Sequence, residues 1–291
     1  MRNPETYLEL MSKSMTVDAE GKLFFVSRIN WKKYDVVVDF GCAAMEMLAD
    51  LDDMLEEFPL TLIGVDKVSF RPLSKEMNEF KHPAEFHNDL YTIPYDRLRG
   101  KKVLVVFSSV LHELGDDANA LNRVMLWCKR YAQTVVCRDM YFLPKYFGRA
   151  GAMTYRLNEK KEMRLFDQLL SVSDETEKTC TIKSYGRKLR EIFDNYSKEG
   201  YEISTTALLY EFFLKYTYDI NWDTEVKEMY FCNNAVKLMQ RLQAADFEES
   251  YYRTFTLTYK KQQVKKRFKY KMKLPTHIMY ILEAPSLGGN Q

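Results

Sequence analysis

The sequence predicts an α/β fold built on a doubly wound, mainly parallel sheet, and three observations carry that prediction. Short β-branched runs at Val36–Val38, Leu60–Val65, Val103–Phe107 and Thr134–Cys137 lack polar alternation, as strands buried on both faces do. Stretches with helical spacing lie between or beside them: Met45 to Glu57, Pro72 to Phe80, and Asp117 to Tyr131 with Leu121, Val124, Met125 and Cys128 on one stripe. The resulting β-α alternation calls for right-handed crossovers, and in such sheets ligands bind beyond the carboxyl ends of the strands.

Composition bounds the rest. The 291 residues correspond to two domains, or one with an insertion, at about 150 residues per domain. With 46% hydrophobic and 29% charged residues, the chain is neither disordered nor fibrous nor a disulfide-stapled miniprotein. Forty-three basic and 41 acidic residues leave a net charge of +2, so attraction to a polyanion has to be local. Cys42, Cys128, Cys137, Cys180 and Cys232 are odd in number and contain no C-x-x-C, which points to a reducing compartment without a zinc ribbon. Met1 to Thr16 has neither a signal-peptide core nor an Arg-rich transit pattern. No apolar run approaches the about 20 residues of a membrane span. A soluble, cytoplasmic protein is expected.

Three regions are expected along the chain: an N-terminal helical segment over 1–30, the sheet domain over 31–140 and 251–291, and a helical insertion over 141–250. The insertion's helices are placed at Glu159–Ser171, Lys183–Ser197, Thr205–Tyr216 and Asp223–Leu242, the last broken near Asn233–Asn234. Phe212, Phe213 and Tyr216 fall at helical spacing and read as core packing. The last strands are placed at Tyr251–Tyr259 and His277–Ala284.

The candidate chemistry sits where strands end. Val36-Val37-Val38-Asp39 runs through Gly41-Cys42-Ala43 straight into a helix from about Ala44. Gly41 lets backbone approach a ligand, the helix start offers unpaired N–H groups, and Asp39 accepts hydrogen bonds from a cationic or hydroxyl-bearing group. Asp66, followed by Lys67, ends the second strand at the position where a carboxylate can bind the two hydroxyls of a ribose. Asn88-Asp89 closes a third strand, and Ser108-Ser109 a fourth, leading to His112-Glu113. Arg138-Asp139 closes the fifth, next to Tyr141.

In this order, VVVDFGC, IGVD, HNDL, VLVVFSSVLHEL and VVCRDM, residues 35–140 resemble the class I S-adenosylmethionine-dependent methyltransferases, with wording nearest to small bacterial and phage members. The resemblance implies a Rossmann-like, seven-stranded methyltransferase-type sheet whose last strand is antiparallel, with the helical insertion between the fifth and sixth strands. It implies S-adenosylmethionine as cofactor, with Asp39, Gly41, Cys42 and Ala43 at its methionine portion and Asp66 at the ribose. Asp89, beside Asn88, takes the position that meets the adenine amino group, and Ser108 and Ser109 lie beside the transferred methyl. The family's first motif runs Asp-x-Gly-x-Gly-x-Gly, whereas this chain has Ala43 and Met45 at the second and third glycines. Met45 therefore either shifts the start of the helix or narrows the cofactor pocket.

For the acceptor side, methyl transfer from a sulfonium is an in-line displacement governed by positioning. His112 and Glu113 are the candidate general bases, with a structural cap or solvated turn as the plain alternative. Arg138, Asp139 and Tyr141 either orient a substrate or, for Arg138-Asp139, close a salt bridge. His82, His87 and His277 are scattered, so no metal site is expected. Between Glu249 and Glu283 there is no acid, while Lys260, Lys261, Lys265, Lys266, Arg267, Lys269 and Lys271 follow closely on one another. This run is either a phosphate-binding patch or a solvated connection, folded as a basic-faced strand or as a short helix and loop. The Asn/Asp-Pro-Pro-Tyr and Pro-Cys motifs of DNA base methyltransferases are missing, and the acceptor, small molecule or nucleic acid, is open. The rival readings are a methyltransferase-fold binding module without turnover and a nicotinamide-dependent oxidoreductase. The latter fits poorly, since Gly41-Cys-Ala-Ala-Met-Glu46 is not G-x-G-x-x-G.

Overall fold

The strands alternate with helices as the apolar runs require. In the computed structural model the described residues are 15–67, 73, 75–115, 117–143, 147–149, 160–171, 185–217 and 222–285. Strands β1 (Val36–Phe40), β2 (Thr61–Val65), β3 (Ala84–His87), β4 (Val103–Ser108), β5 (Ala132–Met140), β8 (Glu248–Phe255) and β9 (His277–Glu283) form a seven-stranded sheet in the order β3-β2-β1-β4-β5-β9-β8. The first five strands pair in parallel. β9 runs antiparallel to β5: the Ala284 N–H donates to Gln133 O at one end, and Tyr141 N–H to Thr276 O at the other. This is the sheet the family resemblance implies.

The chain builds β1, β2 and β3 outward in one direction and then resumes with β4 on the other side of β1. The carboxyl ends of β1 and β4 therefore flank the topological switch point, where open α/β sheets hold ligands. β4 is buried throughout, and Val36–Asp39 of β1 likewise, so neither strand needs polar alternation.

Helix α1 (Glu46–Met54) follows β1, α2 (Tyr95–Leu98) is a single turn, and α3 (Ala118–Tyr131) precedes β5. α3 starts on Asp117, whose Oδ1 accepts from Asn119 N and Ala120 N at 2.9 and 3.0 Å, and it buries Leu121, Val124, Trp127 and Cys128. The helix expected over Pro72–Phe80 is not formed where the chain is described. Only a 3-10 turn, Met77–Glu79, is present there. The reason is Asp52 on α1: its carboxylate accepts from Lys75 Nζ (2.5 Å), Lys81 N (3.0 Å), His82 N (2.9 Å) and His82 Nδ1 (2.7 Å), pinning this stretch as a loop. Burial alone would push that carboxyl up, but these hydrogen bonds outweigh it and hold it well below the usual range. Of the expected N-terminal helical segment, 1–14 lie outside the described residues, and the rest shows only a 3-10 turn at Val26–Arg28.

The chain divides into two units. Of the described residues, the sheet unit takes those up to Asp139, Asn234–Arg253 and those from Ile278 on, and the helical unit those within Met140–Asn233 and Thr254–His277. The divisions fall at 139/140, 233/234, 253/254 and 277/278, where the sequence placed them at 140/141 and 250/251.

The helical unit contains α4 (Lys160–Ser171), α5 (Tyr185–Lys198), α6 (Thr205–Lys215), α7 (Trp222–Glu225) and α9 (Thr258–Phe268), while α8 (Asn234–Gln243) lies in the sheet unit. The helix expected over Asp223–Leu242 is thus two helices, α7 and α8, with Val226–Asn233 between them. A two-stranded antiparallel sheet, β6 (Phe147–Arg149) with β7 (Tyr201–Ile203), was not anticipated. α6 is buried on all sides and includes two charges, Glu211 and Lys215, whose side chains pair at 2.5 Å with no exposure. Glu211 also accepts from the Tyr196 hydroxyl and from Tyr230 N (3.4 Å), and Lys215 donates to Glu228 O and lies 4.2 Å from the Tyr230 ring centroid. Phe142, Phe212, Phe213 and Phe231 pack in the same core.

Candidate functional site

The site is assembled from the turn after β1. Gly41 takes φ +80° and its N–H donates to Val65 O at 2.7 Å. Ala43 takes φ +47° and Met45 φ +63°, both left-handed, before α1 starts at Glu46. The positions of the three family glycines therefore keep a glycine-like backbone although only one is glycine. Left-handed conformation costs a non-glycine residue about 1–2 kcal/mol, and such residues collect at functional turns. Asp66 supports the turn, its Oδ2 accepting from Ala43 N at 3.0 Å.

Of the two outcomes open for Met45, the helix start is shifted. Met45 is wholly buried, and its Cγ would lie 3.2 Å from a Cβ built on Gly64 of β2. Gly64 makes room for it, and for Cys42, whose Sγ would be 2.8 Å from that Cβ.

One pocket is lined by Met15, Lys22, Asp39, Gly41, Cys42, Glu46, Met47 and Ser108, with an empty volume of about 220 Å³. Asp39 is 2% exposed; burial, with Glu46 and Asp66 adding, pushes its carboxyl up to about 8 against the opposing pull of Lys22. Burial likewise lowers Lys22 to about 8, with Arg138 adding and Asp39 and Glu46 opposing. The Glu46 carboxyl is raised, chiefly by burial. Among the described residues, Ser108 Oγ and Glu46 Oε1 are buried oxygens with no hydrogen-bond partner. Buried polar atoms are normally paired, so both point to a polar ligand group.

Lys22 and Glu46 were not anticipated as site residues. Lys22 reaches the pocket from the turn ahead of the buried Leu23, Phe24 and Phe25. Asp18 shapes that turn, its Oδ1 accepting from Glu20 N and Gly21 N at 2.8 Å each. Arg138 fixes it to the sheet: Nε donates to Glu20 O at 3.1 Å and Nη1 to Ser109 Oγ at 3.0 Å. Ser109, at φ +59°, donates its N–H to Arg138 O at 2.7 Å. Arg138 hydrogen-bonds to a backbone carbonyl and a hydroxyl, and Asp139 faces His112.

Asp139 holds His112 instead. Its Oδ1 lies 2.6 Å from His112 Nδ1, while Oδ2 accepts from Val110 N (3.2 Å) and Leu111 N (2.5 Å). Both side chains are buried. This contact holds the imidazole ring in place beside the turn after β4. Glu113 is exposed on the same 3-10 turn.

The remaining candidates are dispersed. Asp89 is occupied structurally, capping a 3-10 turn through Tyr91 N (2.8 Å) and pairing with Arg123 Nη2 (2.9 Å). Lys67 and Asn88 are exposed. Tyr141 belongs to the helical unit, where its N–H donates to Thr276 O. Lys260 is buried, 3% exposed, and so drops out of the expected basic patch. The described cysteines Cys42, Cys128, Cys137 and Cys232 are free, and none of the described helices is long and apolar enough to cross a membrane.

Gly41→Ala is expected to lower sheet-unit stability by about 2–4 kcal/mol, because φ +80° disfavours any Cβ and that Cβ would stand 2.4 Å from Val110 Cγ2. Urea melts followed by the fluorescence of Trp31 and Trp127 measure it. An unchanged midpoint would contradict this close packing.

No protein-family model and no curated protein sequence matches the chain. Among solved structures it is similar to the methyltransferase domain of bacterial CtHen1, with TM-score 0.46 and 12% identity over 90% of this chain and 96% of that one. It is also similar to PKMT2 from Rickettsia typhi (TM-score 0.45, 11% identity, 90% of this chain and 50% of that one). An O-methyltransferase family protein from Burkholderia thailandensis gives TM-score 0.41 and 11% identity over 91% of this chain and 55% of that one. The chain spans about half the length of these last two.

Proposed function

On a fold of class I methyltransferase type, we propose that the protein transfers a methyl group from S-adenosylmethionine to an acceptor. The observation that carries the reading is the set of buried charges and unpaired oxygens at the switch point: Lys22, Asp39, Glu46 and Ser108 around the Gly41 turn. This donor set fits the amino-acid end of the cofactor. Lys22 would face its carboxylate, Asp39 and Glu46 its ammonium, and the backbone at Gly41 allows close approach. Asp66, one strand over, would meet the ribose.

When bound, the cofactor supplies a methyl group on a positive sulfur. The protein's part is alignment, and removal of a proton where the acceptor is a hydroxyl or ammonium. His112 would serve as the base for that proton, with Asp139 orienting the ring and stabilising the imidazolium.

Calorimetric titration with S-adenosylhomocysteine tests the reading. Micromolar binding is expected, weakened about tenfold in Ser108→Ala through loss of one hydrogen bond to a charged or polar ligand group. No heat and no thermal shift at millimolar ligand would overturn it. A second reading, a binding module of this fold without turnover, draws on Ala43 and Met45 standing at two of the three glycine positions of the family's first motif. Absence of S-adenosylhomocysteine binding would favour that module.

A further inference from the structure

Helix α9 of the helical unit carries a charged surface that methyl transfer does not use. One side of the helix is fixed in the core. Val264 is fully buried, and the Phe268 ring packs at 5.7, 5.4 and 5.1 Å from those of Phe212, Phe213 and Tyr216. Lys260 lies on this inner side: its Nζ donates to Thr217 Oγ1 at 3.0 Å and stands 5.5 Å from the Tyr216 ring centroid.

The outer side is different. Lys261, Gln262, Lys265, Lys266 and the C-cap residue Lys269 are spaced at i, i+1, i+4, i+5 and i+8, which puts them on one stripe. It extends about 12 Å at 1.5 Å per residue. All five are exposed, and the four lysines make no ion pair among the described residues. Lys269 turns left-handed at φ +52°, and Lys271 and Lys273 beyond it are exposed as well. No acid occurs between Glu249 and Glu283 to neutralise them.

We infer that this stripe is a docking surface for the sugar-phosphate backbone of a nucleic acid. Four point charges at helical spacing on a rigid support match a line of phosphates. Gln262 and Gln263, both exposed, add neutral donors of the kind that bond phosphate and sugar oxygens. Tyr259, 50% exposed at the head of the helix, offers a ring for stacking a base. A lipid surface suits the stripe less, because interfacial helices insert an apolar face, and the apolar face of α9 is already buried in protein. The inference stands independently of the cofactor reading.

The test is fluorescence anisotropy with a labelled 20-nucleotide single-stranded RNA between 50 and 200 mM KCl. Four phosphate contacts predict a log–log salt slope of about −3 and a roughly 50-fold loss of affinity across that range. Lys261→Glu/Lys265→Glu/Lys266→Glu is expected to weaken binding at least 30-fold and to flatten the slope by about 2. Circular dichroism should stay unchanged, since all three side chains are solvent-facing. Lys32→Glu/Lys33→Glu/Lys101→Glu, an equal change of charge on the sheet unit, should bind as the parent does. Absence of binding at 50 mM KCl, an unaffected α9 variant, or an equal loss in the control variant would overturn the inference. Tighter binding to vesicles containing 30% phosphatidylserine than to the RNA would overturn it in favour of a membrane.

Discussion

Glu211→Ala is expected to destabilise the helical unit by about 3–5 kcal/mol, the cost of leaving a buried charge without its partner. Lys215, fully buried on the next turn of α6, would then keep only the Glu228 carbonyl and the Tyr230 ring. The Tyr196 hydroxyl and Tyr230 N would lose an acceptor in the same step. Trp222 is the tryptophan of this unit, so its fluorescence during urea unfolding reports the change, with Trp31 and Trp127 following the sheet unit. Removing both charges in Glu211→Met/Lys215→Met should restore most of the loss, since a buried ion pair replaced by apolar groups of similar volume is often neutral. A single variant that costs under about 1 kcal/mol would show the pair to be solvated or unformed, against the general expectation for buried ion pairs.

The second large effect is on ligand binding. Affinity for S-adenosylhomocysteine should rise from pH 6 to about 8 and fall beyond it. Asp39 is raised to about 8 by burial, so below that pH it is mostly protonated and has no charge to offer an ammonium. Lys22, lowered to about 8 by the same burial, loses its charge above that pH. Each pH unit away from 8 removes up to about tenfold in affinity, or 1.36 kcal/mol. Near pH 7, binding should release about one proton, which calorimetry in two buffers of different ionisation enthalpy detects. Asp39→Asn should flatten the acid limb. Lys22→Met should reduce the alkaline limb to the ligand's own titration. The ligand-free fold responds with its own sign: the folded Asp39 carboxyl holds its proton up to about 8, the unfolded one only to about 4. Stability is therefore lost as pH rises between those values, and Asp39→Asn should be the more stable protein at pH 9. A flat affinity profile without proton release would remove Asp39 and Lys22 from ligand binding.

Legibility in the sequence followed the range of the forces involved. Buried parallel strands advertise themselves in runs such as Val36–Val38 and Val103–Phe107, and residues at their carboxyl ends inherit a place on one rim, so Asp39, Gly41, Cys42 and Ser108 could be read. Pairings made by tertiary contact could not. The Asp139–His112 bond spans 27 residues, and Lys22 reaches Gly41 and Ser108 from a turn ahead of the first strand. Asp89 had the right residue type at the right strand end, yet a local cap and Arg123 engage it. Helical spacing over Pro72–Phe80 lost to a remote carboxylate that takes the backbone donors of Lys81 and His82. In the basic run, net charge gave no hint that Lys260 turns inward while its neighbours turn out.

The turn after β1 has a wider implication. Ala43 and Met45 reproduce with ordinary side chains the torsions that the motif assigns to glycine. The turn is defined there by the trajectory of the main chain, which side chains other than glycine can also follow. Proteins that write the same curve with other letters are invisible to searches by spelling, and a comparison of dihedral angles at the first strand's exit would retrieve them.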